Sequence, residues 1–95
     1  MNKTTTIAVK RIMDTVGKEI EKAFSGEFKS VEEVSEKHDE LHKNLGERLN
    51  ALKDSKLFTA SECDDIYDFV RCKLSGQYCD ARFRTLKQLR DEYVF

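Results

Sequence analysis

One stripe of side chains constrains the chain more than any other feature. Val31, Val34, His38, Leu41, Leu45, Leu49 and Leu52 recur three and four positions apart, and the positions between them are mostly charged or polar. That spacing matches the turn of an α-helix, so these residues share one face of an amphipathic rod. The rod is the longest periodic segment of the sequence, and its apolar seam has to be covered.

Composition points the same way. Proline and tryptophan are absent, and charged residues make up 37% of the 95 positions. The sequence is rich in helix formers and poor in the turn residues that an all-β fold uses. A chain of this length forms one domain at most, and a lone core of this size is marginal.

The capping signals divide the chain into four expected helices. The first spans about 6–24, opened by Thr4, Thr5 or Thr6, with an inward stripe of Val9, Ile12, Met13, Val16, Ile20 and Phe24. Ser25 and Gly26 end it, with Gly26 as the left-handed residue after the last turn. Ser30 and Glu33 form a capping box for the second, about 31–53, with Phe28 as its hydrophobic staple. The third spans about 61–74, capped by Thr59 or Ser61, and Ser75-Gly76-Gln77 reads as a stop. The fourth spans about 78–93, with Cys79, Phe83, Leu86, Leu89 and Tyr93 inward. The expected architecture is all-α: an antiparallel bundle of about four helices, 1–95, in which a long hairpin outreaches two shorter helices. Its leftover seam (Val34, Leu41, Leu45 and Leu49) is expected to pack against further copies, in a homodimer or higher homo-oligomer.

The formal net charge of −1 gives no global field to attract nucleic acid or an anionic membrane. No signal peptide or membrane-spanning run is read, so the expected setting is the cytoplasm, with no membrane partner. Three cysteines, an odd number, argue against a closed disulfide framework.

Five constellations could carry chemistry. His38 and His42 stand one turn apart in the run HDELH, so both rings can address one ion, and helix-level arithmetic brings Cys72 and Cys79 near them. A zinc site from these four is conceivable, although no third ligand lies nearby in sequence. The alternative seats His38 on the stripe, in the space left by Gly17, with His42 solvated.

The pairs Glu33-x-x-Glu36 and Glu62-x-x-Asp65 resemble the carboxylate motifs with which the all-α nucleotide pyrophosphohydrolases hold Mg²⁺. Antiparallel packing would leave the pairs at opposite poles of a single chain, about 25 Å apart.

Arg82, Arg84, Lys87 and Arg90 follow the expected turn as in the recognition helix of a helix-turn-helix, with Arg71 beside them. The acids of the same segment dilute that patch. Gly17 and Gly46 each lie inside an expected helix at a cost of about 1 kcal/mol, which a close helix approach would explain. Tyr93-Val94-Phe95 leaves an apolar chain end.

Neither a nucleophile–base pair nor a cofactor fingerprint is present, and no cofactor is expected. The leading expectation is a non-enzymatic binding protein that sequesters, inhibits or adapts a protein partner. Small phage accessory proteins, immunity proteins and antitoxins work this way, an analogy of size and architecture only. Its surface is expected at Arg71, Arg82, Arg84, Lys87 and Arg90, with Tyr67, Tyr78 and Tyr93 as anchors. The alternatives are a nucleic-acid-binding regulator, a helical oligomer for a small anionic nucleotide, and a Mg²⁺-dependent pyrophosphohydrolase.

Overall fold

In the computed structural model the described residues are 3–92, with side chains from Ile7 onward. They form three α-helices: α1, Lys3–Phe24; α2, Val31–Asp54; and α3, Ala60–Glu92. α1 starts at Lys3, so Thr4, Thr5 and Thr6 lie inside the helix and not ahead of it.

Local chemistry sets the boundaries of α2 and α3. Ser30 Oγ accepts from the Glu33 amide at 3.2 Å, and the Glu33 carboxylate accepts from the Lys29 amide at 2.8 Å, so both groups satisfy donors at the start of α2. Thr59 and Glu62 bond reciprocally at the start of α3: Thr59 Oγ1 accepts from the Glu62 amide at 3.1 Å, and Glu62 Oε1 accepts from the Thr59 amide at 2.7 Å. The end of α1 departs from expectation, because neither Gly26 nor any other described glycine has positive φ. The Ser25 hydroxyl donates to the Lys22 carbonyl there, at 2.8 Å. The left-handed residue is Lys56, φ 59°, which turns the chain between α2 and α3.

The main correction concerns Ser75-Gly76-Gln77. No stop occurs there, and one helix of 33 residues takes the place of the expected third and fourth. A glycine inside a helix costs about 1 kcal/mol, which burial on both sides of it can offset. The buried stripe runs straight through: Ile66, Val70 and Leu74, then Ala81 and Thr85. Because the helical phase never resets, Cys79, Phe83 and Leu86, expected inward, point outward, with Phe83 67% exposed. Leu89 is part-buried, and Tyr93 lies outside the described residues.

Short turns make successive helices antiparallel, so α1 and α3 run parallel. α3 is the hub: α1 and α2 both pack against it, and they touch each other little. Lys73 on α3 donates to Glu21 on α1, and Arg48 on α2 grips Glu19 on α1 at 2.7 and 3.3 Å. The core joins Val9, Val16, Ile20 and Phe24 of α1 with Val34 and Leu45 of α2 and the α3 stripe. Fully burying one such large side chain contributes about 1.5–3 kcal/mol.

The uninterrupted α3 also changes the fate of the α2 seam. Val34 and Leu45, expected at an oligomer interface, are buried within the single chain, and Leu41 and Leu49 pack against the same core. A rod of 33 residues reaches along α2 where two short helices would not. The molecule is elongated, 61 × 22 × 16 Å.

Candidate functional site

α2 and α3 diverge enough to leave a groove of about 510 Å³. Leu45 and Leu49 of α2 and Val70 and Leu74 of α3 form its floor; His38, His42, Asn50, Tyr67, Arg71 and Ser75 form its rim. The helical period explains both layers. The floor residues sit where the core stripes of the two helices meet; His38 continues the α2 stripe beyond them, and the other rim residues lie further round each helix.

Three properties define what this groove can hold. Its floor is aliphatic. Among the described residues its only formally charged lining residue is Arg71, accompanied by two histidines, and no carboxylate lines it. Asp68, one turn before Arg71, approaches the guanidinium only to 4.0 Å, and both side chains are 66% exposed, so Arg71 is largely free to engage a visitor. The third property is Gly46, which lines the groove and would have nothing within 4 Å of an added Cβ. The glycine inside α2 therefore serves no close packing among the described residues, and it leaves the groove open where another backbone could come near.

Aromatic rings close one end. The His38 ring is tilted against the Tyr78 ring with centroids 4.7 Å apart, and His42 stacks on His38 at 6.0 Å. His38 Nδ1 lies 3.3 Å from Asp39 Oδ1. His38 therefore packs on Tyr78, and the space beside Gly17 belongs to Phe69, whose ring would lie 3.5 Å from an added Cβ.

The other candidates are dispersed. Cys72 and Cys79 are exposed on the side of α3 turned away from the histidines, since the unbroken helix carries both to its outer face. Among the described residues no group of three or more His, Cys, Asp or Glu is placed to share a metal ion. Glu33 and Glu62 are engaged in helix caps at the starts of different helices. Glu62 is 2% exposed, and its Oε2 has no hydrogen-bond partner among the described residues.

The basic residues divide in the same way. Arg71, Arg82, Lys87 and Arg90 are exposed. Arg84 turns back across the bundle: Nη2 donates to the Phe24 carbonyl and Nε lies 3.3 Å from Asp80 Oδ2. The turn on which the helix-turn-helix comparison rested is absent, because the basic segment continues the helix before it. Sequence reasoning named the groove's Arg71, Tyr67, His38 and His42, though not as one groove, and missed Gly46 as its open point. The pairing of the α2 stripe with 66–74 was the signal available for the groove.

No family model, curated protein sequence or solved structure matches the chain. No described helix is long and apolar enough to cross a membrane.

Proposed function

We propose that the protein works by binding: an acidic amphipathic helix of a macromolecular partner lies in the groove between α2 and α3, and is thereby sequestered, inhibited or adapted. The observation that carries this reading is a groove with an aliphatic floor, with Gly46 at its side open to an added Cβ and with Arg71 as the one formally charged residue among its described lining. A helix seated there buries its apolar face on Leu45, Leu49, Val70 and Leu74, as helix-in-groove recognition requires. Acids on its flank meet Arg71 and the two imidazoles, and Tyr67, half exposed, supplies an amphipathic anchor. A reducing cytoplasmic setting suits the three free thiols.

The test uses two synthetic helical peptides with the same leucine stripe, one flanked by glutamates and one by lysines. Amide chemical shifts are followed by NMR. The reading expects the acidic peptide to bind more tightly, to perturb Gly46, Leu49 and Leu74, and to lose its preference when Arg71→Glu is introduced. Equal binding of both peptides, or shifts confined to other surfaces, overturns it.

A second reading has its own support. The volume falls within the range of small-ligand sites, and the stacked rings of His38 and His42 in the same lining as Arg71 would suit a nucleotide. It expects ATP or another nucleotide to raise the melting temperature and to shift the same resonances, without turnover.

A further inference from the structure

The outer face of α3 carries a second apolar seam that the chain itself leaves largely bare, with only Phe69, at one end, also packing beside Gly17 of α1. Phe69, Cys72, Gly76, Cys79, Phe83 and Leu86 recur at alternating steps of three and four. This is the spacing of the apolar positions in a two-stranded coiled coil, and it lies opposite the stripe that α3 buries in its own core. Phe69 is 36% exposed, Leu86 47% and Phe83 67%; both cysteines are exposed. Gly76, at the middle of the seam, has nothing within 4 Å of an added Cβ. From Phe69 to Leu86 the seam spans about 26 Å.

The charges beside the seam say what covers it. Its N-terminal side carries Asp64, Asp65 and Asp68; its C-terminal side carries Arg82, Lys87 and Arg90. A parallel neighbour would set acid against acid and base against base. An antiparallel copy can instead set Asp65 and Asp68 against Arg90 and Lys87.

We infer that α3 pairs with α3 of a second copy, antiparallel, about a two-fold axis passing between Gln77 and Tyr78. In that register Asp65 faces Arg90 of the second copy and Asp68 faces its Lys87. Phe69 meets Leu86, Cys72 meets Phe83, and Gly76 meets Cys79. Each pairing occurs twice, as a two-fold axis demands. Large residues lie against smaller ones, and the small pair next to the axis lets the two backbones approach closely. Among the described residues of one chain Arg90 is held only by its neighbour Asp91, at 2.8 Å, an exposed pair that can exchange partners. The seam faces away from the groove between α2 and α3, so a dimer leaves that groove open. The two proposals therefore stand or fall separately.

Sedimentation equilibrium of the full chain in reductant tests the pairing, with far-UV circular dichroism as the check on folding. The wild type should be dimeric, and Phe83→Glu monomeric at unchanged helix content. Asp65→Arg should weaken the dimer about tenfold by opposing like charges at both ends. Adding Arg90→Asp to that variant should restore it, because each end regains an opposite pair. A wild type that stays monomeric at high concentration overturns the inference. So does a dimer indifferent to Phe83→Glu, and so does a charge exchange that fails to rescue, which would exclude this orientation and register.

Discussion

The Arg84 guanidinium of α3 donates to the main-chain carbonyl of Phe24, the last residue of α1. A long cationic side chain from one helix thus satisfies an acceptor that another helix leaves open, and places positive charge at the negative end of its dipole. Phe24 is fully buried, and the contact ties the end of α1 to α3. Arg84→Ala should lower stability by about 1 kcal/mol. Arg84→Lys should recover part of that, since lysine keeps the charge without the planar reach of the guanidinium. Chemical denaturation with an unchanged slope is the measurement.

Gly46 offers a paired outcome. Nothing approaches its missing Cβ, so Gly46→Ala should raise stability by up to about 1 kcal/mol through helix propensity alone. The same methyl group narrows the groove, so affinity for the acidic helical peptide should fall. A thermal melt and a titration on the same variant check both signs.

The pair Glu19–Arg48 links stability to pH. The hydrogen bond from Arg48 holds the Glu19 carboxyl below its ordinary value of 4.5, with their charge attraction adding to it against a small cost of burial. A carboxyl lowered on folding contributes stability that is present above its unfolded value and is lost as pH falls through the folded one. The loss therefore lies below about pH 4.5. Both side chains are over 40% exposed, so the contribution is about 0.2–1 kcal/mol. Glu19→Gln should show that deficit at pH 7, and the two proteins should converge in acid when denaturant midpoints are compared.

The reciprocal bonds between Thr59 and Glu62 start α3. Thr59→Ala removes the hydroxyl that accepts from the Glu62 amide and should cost about 0.5–2 kcal/mol. Ser61→Ala, one residue inside the helix, should change stability little. Denaturation of the two variants side by side distinguishes them.

These relationships differ in how far the sequence announces them. The stripes of α1 and α2 and the caps at Ser30 and Thr59 are legible because each is local: apolar spacing within one helix, or a hydroxyl three residues from its amide. The continuity of α3 is not. Its inner face uses Ala81 and Thr85, which carry little apolar signal, and its outer face displays Phe83 and Leu86, which carry a great deal. A reader of periodicity therefore restarts the phase at Gly76 and turns the second half of the helix inside out. Arg84 is exposed, as expected, but its bond to Phe24 was not legible, because that reach depends on where α1 ends in space. The groove was half legible, through His38, His42 and Arg71. Its shape depends on how far α2 and α3 diverge, which no local pattern encodes.

Because α3 is one unbroken rod, its two faces are geared together. Inserting a single residue near Gly76 would leave Ile66 and Val70 seated but swing everything beyond it by about 100°, unseating Ala81 and Thr85 and scattering the outer seam in the same stroke. The turns 25–30 and 55–59 have no such gearing and could absorb added length. Changes in chain length should therefore be tolerated at the two turns and rejected along the whole of the last helix.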